Sequence, residues 1–156
     1  MNNEGQITVE YILLIAMIML IVLLTASVLV KESEKNTILN SAQIGAQIGV
    51  DKNAYAMYYN DTFKEYEENY VKLLYPSELK VINITMNEMN DTLRLKAYIH
   101  TNNYLTNNER YIVGSRINYY IRKTVSETFN QENNDLFYNN LKSYNFKIET
   151  EEVGWV

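Results

Sequence analysis

Side chains able to do chemistry are sparse in this sequence, and only one sits where its charge is conspicuous. Glu10 lies one position before Tyr11 to Val30, 20 consecutive residues without a charge. A carboxylate there must find a cation, a proton or the polar edge of a membrane. The remaining groups are ordinary. There is no Cys, which removes disulfides, thiolate nucleophiles and Cys-based zinc sites. The single His, His100, has no metal-ligand spacing around it and reads as an exposed strand residue. Glu65, Glu67 and Glu68, like Glu149, Glu151 and Glu152, lack the Asp-x-Asp-x-Asn-Gly order of a calcium loop and read as solvated charge. The 5 Gly residues form no phosphate-cradling loop or nucleophile elbow. No catalytic residue, metal or cofactor is assigned, and an enzyme is the least expected outcome.

At 156 residues the chain holds one modest domain plus a membrane or signal segment. A formal charge of −5 without a basic block argues against a nucleic-acid partner. The 21 Asn and 14 Tyr favour a polar, hydrogen-bonding exterior. The uncharged run ends at Lys31-Glu32-Ser33-Glu34-Lys35, and as a helix it is about 30 Å long, the thickness of a bilayer's hydrocarbon core. It reads as a membrane segment through residues 11–30. A secretory signal would have a basic start, an apolar stretch of about 7–15 residues and a small-residue cleavage site after it. Met1 to Gly5 contains no Lys or Arg, the run is longer, and no A-x-A follows.

Gly5-Gln6-Ile7-Thr8-Val9-Glu10-Tyr11-Ile12-Leu13-Leu14 resembles the class III signal peptide of archaeal type IV pilin-like proteins: Gly, then Gln-x-Ser/Thr-x-Glu-Tyr/Phe-x-x-Leu opening a long apolar helix. The resemblance covers about residues 5 to 30. It implies that prepilin peptidase cuts between Gly5 and Gln6, leaving the apolar helix in the mature protein. It also implies that the partners are copies of the chain or other pilins. Glu10 then meets the N-terminal amine of a neighbouring subunit and sets axial register; if Gln6 cyclises to a lactam, a hydrogen bond replaces the ion pair. The alternative for Glu10 is a first-turn charge in the headgroup layer, facing the positive end of the helix dipole.

Past Lys35 the pattern stays helical. Ala42, Gly45, Ala46 and Gly49 recur at i, i+3, i+4 and i+7, a narrow face that admits another helix closely, or else two glycines that weaken this one by about 1 kcal/mol each. The helix is expected to reach about Tyr59 and to break at Asn60-Asp61-Thr62. A second helical stripe, Phe63, Tyr66, Tyr70 and Leu73-Leu74, ends at Tyr75-Pro76. The period then changes to two. Ile82, Ile84 and Met86, then Leu93, Leu95, Ala97 and Ile99, flank Asn90-Asp91 and predict a β-hairpin. Thr106-Asn107-Asn108-Glu109 is a capping box opening a helix whose stripe is Val113, Ile117, Ile121, Val125 and Phe129. Leu136, Phe137 and Leu141 suggest a short helix, and Tyr144, Phe146 and Ile148 a third strand.

The expectation is therefore α+β: a leader over 1–5, a hydrophobic stem helix over 6–60, and a head over 61–156 with a three-stranded antiparallel sheet packed against helix. Asn60, Asn83 and Asn90 begin N-glycosylation triplets, although about two such triplets arise by chance in this composition. The functional expectation is a structural subunit of a type IV-like pilus or related surface filament, held in the cell membrane before assembly. The alternative is a minor pilin or a membrane-anchored extracellular binding or accessory protein.

Overall fold

The computed structural model describes residues 3–52, 67–75, 78–130, 136–137 and 141–156. These fall into two compact units, residues 1–37 and 38–156. Among the described residues the first is wholly helical, formed by part of α1 (Asn3–Asp51). Its large apolar side chains are open from Val9 to Val30, from 43% exposed at Ile15 to 71% at Leu23. The polar residues in this stretch satisfy themselves locally. Thr25 Oγ1 lies 3.0 Å from the Ile21 carbonyl and 2.9 Å from that of Val22, and Ser27 Oγ donates to Leu24 at 2.9 Å. Helical hydrogen bonds and these back-bonds leave a surface with little polar demand.

In the second unit the end of α1 presents a four-residue stripe, Ile38, Ala42, Ala46 and Val50, all buried. It joins the core of α2 (Asn107–Thr128). The approach is close enough that a Cβ on Gly45 would lie 2.6 Å from the Tyr120 carbonyl oxygen and 2.7 Å from Ile121 Cα. A Cβ on Gly49 would lie 2.9 Å from Ile117 Cα. The small-residue face thus meets a helix of its own chain. Ser41 and Thr128 tie the same contact by a 2.9 Å hydroxyl bond, Thr128 donating onward to the Thr124 carbonyl.

α2 opens as its sequence predicts. Thr106 Oγ1 accepts from Glu109 N–H at 3.3 Å, and Glu109 Oε2 accepts from Thr106 N–H at 2.7 Å. Two backbone donors are thereby satisfied at the helix start, where removing the cap costs about 1 kcal/mol. Val113, Ile117, Ile121, Val125 and Phe129 are all buried.

The hairpin pairs β1 (Leu79–Met89) with β2 (Thr92–Thr101) around Asn90 and Asp91. Both turn residues adopt positive φ, 49° and 59°, which Asn and Asp tolerate and which matches the twist of the strands. On β2 the alternation holds: Leu93, Leu95, Ala97 and Ile99 are buried, Arg94 is exposed, and Lys96, Tyr98 and His100 are half-buried. On β1 it does not hold throughout. The register steps from Val81 to Asn83 and leaves Ile82 without a partner, so Val81 packs on the core and Ile82 is 52% exposed. One inserted residue reverses the faces of a strand, and a period-2 reading has no way to see it.

The sheet corrects the expected three antiparallel strands. Among the described residues it has five strands and is mixed, in the order β1-β2-β4-β3, with β5 beside β2. β3 (Leu141–Lys142) runs antiparallel to β4 (Lys147–Thr150), while β4 and β5 (Gly154–Trp155) both pair in parallel with β2. The cause is the return path: α2 carries the chain back across the sheet, so the next strand to meet β2 runs in the same direction. Of the short helix expected at Leu136 to Leu141, residues 136–137 form a turn and Leu141 opens β3, while residues 138–140 lie outside the described residues. Tyr144 is 74% exposed in the turn before β4, and Phe146 and Ile148 are buried. In the segment before the hairpin, Val71–Leu74 forms one 3-10 turn that buries Leu73. Tyr59, Asn60-Asp61-Thr62, Phe63 and Tyr66 lie outside the described residues.

Gly45→Ala should destabilise the second unit by about 1–3 kcal/mol, because the overpacked backbone contact outweighs the roughly 1 kcal/mol gain in helix propensity. Gln43→Ala, on the exposed side of the same turn, should be neutral. Denaturant unfolding of the detergent-solubilised chain, followed by Trp155 fluorescence, measures both.

Candidate functional site

The expected site residues fall in both units. Gly5 and Gln6 lie in the backbone of α1, and the Glu10 side chain is exposed on the same helix. Ala42, Gly45, Ala46 and Gly49 are buried in the second unit. Asn83 and Asn90 are exposed, the first beside the β1 bulge and the second in the hairpin turn; Asn60 lies outside the described residues. His100 Nδ1 is 2.7 Å from the Val156 carbonyl oxygen, and Nε2 is 3.1 Å from Asn102 Oδ1, whose amide donates to Glu78. Among the described residues no three His, Asp or Glu side chains gather as metal ligands.

Two features have functional geometry. The first is the apolar stretch of α1, which is long and apolar enough to cross a membrane. Its 13 Leu, Ile and Val residues between positions 11 and 30 favour insertion by about 4–8 kcal/mol together. A carboxylate costs about 2.5–3.5 kcal/mol at a helix centre and less at an end, where Glu10 stands. On these magnitudes the run is compatible with membrane association or with a signal sequence.

The second feature is a cleft of about 470 Å³ in the second unit, between α2 and the chain joining β4 to β5. It arises because the strand leaves the ladder. β4 ends at Thr150, Glu151 N–H still reaches the Leu95 carbonyl at 2.8 Å, and pairing with β2 resumes at Gly154. Between them Val153 turns inward and is buried. It sits where a Cβ on Gly114 would come within 3.3 Å of its own Cβ. Asn118 Nδ2 holds the detour by donating to the Glu151 carbonyl at 2.8 Å. Arg122, 7% exposed, pins the floor: Nε donates to the Leu136 carbonyl and Nη1 to Thr150 Oγ1, each at 2.7 Å. At the mouth the Arg110 guanidinium lies 5.9 Å from the centre of the Trp155 ring, with Tyr111 and Phe137 exposed nearby.

The sequence did carry a signal for this cleft. Arg110, Gly114, Asn118 and Arg122 recur every four residues, one position ahead of the apolar stripe from Val113. They form a second helical face about 100° round from the core. What the sequence lacked was the partner surface, since Glu152, Val153 and Trp155 reach the cleft only through the break between β4 and β5. Comparison of the chain with protein-family models, with curated proteins and with solved structures returns no match.

On the sheet's other face Glu149 stands opposite Arg94 in the β2–β4 register. The 2.7 Å hydrogen bond from Lys147 holds its carboxyl below the ordinary glutamate value, desolvation opposing it and the charges of Lys147 and Arg94 adding to it. A depressed carboxylate contributes stability that is complete above its unfolded-state pKa and vanishes as pH falls through the folded one. Acid titration of stability should therefore show a small component on the acid side of the usual glutamate range, absent in Glu149→Gln. Arg122→Met should cost about 2–4 kcal/mol in the same unfolding assay, because it strands a carbonyl and a hydroxyl away from water.

Proposed function

We propose that this chain is a pilin-like subunit of an archaeal type IV-like surface filament, released from its leader between Gly5 and Gln6 and assembled through residues 11–30. The observation that carries the reading is a coincidence on one helix. The pattern Gly5-Gln6-x-Thr8-x-Glu10-Tyr11 opens the same α1 whose apolar side chains stay exposed from Val9 to Val30.

The mechanism is exchange of apolar neighbours without covalent chemistry after the cut. In the membrane, lipid tails cover the run; in a filament, the runs of other subunits do. The two environments are nearly equivalent for an apolar helix, so a membrane pool can feed a polymer at little cost. Selectivity then falls to the few polar groups. Glu10, set against the amine of a neighbouring Gln6, fixes the axial step, the best-attested use of a buried charge pair even where its net stabilisation is small. The second unit forms the exterior and carries the exposed Asn83 and Asn90.

The alternative, a minor pilin or a membrane-anchored binding protein that does not polymerise, draws on the cleft of the second unit. Native material separates the readings: long filaments support the first, and detergent-soluble monomers the second.

Mass spectrometry of the N-terminal peptide from cells should find a chain starting at Gln6, free or cyclised. Glu10→Ala should leave processed monomers in the membrane and reduce filament yield by about tenfold or more, with Glu10→Asp retaining part of it. A mature chain that keeps Met1, or that lacks residues 6–30, refutes the assignment.

A further inference from the structure

We propose that His100 is an acid-operated latch on β5, its doubly protonated ring tying that strand to the segment that opens β1. The inference rests on the second unit alone and holds whether or not the chain polymerises.

The ring stands between two oxygen atoms. Nδ1 is 2.7 Å from the Val156 backbone oxygen, and Nε2 is 3.1 Å from Asn102 Oδ1. The Asn102 amide is turned this way because its Nδ2 donates to Glu78 Oε2 at 3.2 Å. A neutral imidazole carries one N–H and can serve only one of the two oxygens. With the proton on Nδ1, a bare Nε2 faces Asn102 Oδ1, acceptor against acceptor. Turning the amide over cures that contact but aims Oδ1 at the Glu78 carboxylate. With the proton on Nε2, the Val156 oxygen loses its donor instead. A ring with both protons resolves the conflict. Every contact from Glu78 to Val156 then runs from donor to acceptor, and the two bonds from the ring are charge-assisted, roughly twice as strong as neutral ones.

The surrounding charges bear on the same choice. Glu78, just ahead of β1, reaches the ring through Asn102 and favours the cation. Lys80 on β1 is the ring's partner across the hairpin register and opposes it, but its side chain is exposed and its charge is screened by solvent and salt. Tyr98, two residues back on the same face of β2, brings a phenol, with the Lys96 ammonium 5.7 Å from the centre of its ring. β5 itself is Gly154 and Trp155 and adds no ionisable side chain. Because the bonded arrangement requires the charged ring, the latch is complete on the acid side of the imidazole range, about pH 5 to 8, and loosens as pH rises through it. β5 pairs with β2 only at Gly154 and Trp155, so a bond gained or lost at Val156 changes how firmly it is held.

His100 is the only histidine in the chain, so nitrogen-labelled histidine reports on this ring alone. The full-length protein in detergent is followed by NMR from about pH 5 to 8. Hydrogen exchange, corrected for its intrinsic rate, is read at the Val156 amide, which donates to the Ile99 carbonyl at 3.0 Å. Protection of that amide should fall by about fivefold as the ring gives up its second proton, the scale of one weakened hydrogen bond. The Glu151 amide, bonded to the Leu95 carbonyl at 2.8 Å where the chain leaves β4, is the internal control and should keep its protection. His100→Gln should abolish the pH dependence, and Asn102→Ala, which cuts the ring from Glu78, should reduce it to about twofold. Thermal unfolding of each variant verifies that the unit is intact. A Val156 protection that is flat with pH, that rises with pH, that falls equally at Glu151, or that keeps its pH dependence in His100→Gln overturns the proposal.

Discussion

Helix α1 has to satisfy two different surroundings along its length, and the change of its surface from one to the other governs everything else. Between Val9 and Val30 the apolar side chains are open on every side. No orientation of such a helix in water hides them, so the stretch is stable only where lipid or other apolar helices take water's place. From Ile38 onward the same helix narrows to one stripe and places Gly45 and Gly49 against α2 backbone. A helix apolar all round accepts any apolar neighbour. A helix with a glycine seam accepts one partner at one depth.

That seam sets the position of α2, and α2 sets the sheet. The buried stripe from Val113 to Phe129 lies in one core with β2 and β4, and Arg122 and Asn118 reach across to the β4–β5 connection. Because α2 lies between β2 and β4 in the chain, the later strands meet β2 in parallel, and the sheet becomes mixed. The interruption after Thr150 follows from the same packing: Val153 fills the space over Gly114 and in doing so leaves the ladder. The cleft is a by-product of that interruption. Its walls belong to two elements far apart in sequence, joined by the polar bonds that bridge them.

Much of this was readable from local pattern. The hairpin stands where Asn90-Asp91 separates two alternating runs, since positive φ at both turn positions is a property of those residues and needs no distant partner. The capping box formed because Thr106 and Glu109 are three residues apart and bond to each other, needing no distant partner. The α2 stripe was plain from spacing. By contrast, the bulge at Ile82 depends on which β2 residue each β1 residue meets, and β3 at Leu141–Lys142 is a strand only because β4 lies beside it. A two-residue strand has no pattern of its own.

The amino-acid sequence by itself determined the uncharged run, its length against a bilayer, the carboxylate at its mouth and the periodic faces of β2 and of α2. Each of these is set by residues within a turn or two of one another, so no distant contact can alter it. Only the tertiary structure decided which helix the glycine seam receives, that the sheet is mixed, and that Arg110, Asn118 and Trp155 share one cleft. Those outcomes depend on how surfaces far apart in the chain fill space together, and close packing, being collective, is written in no single segment.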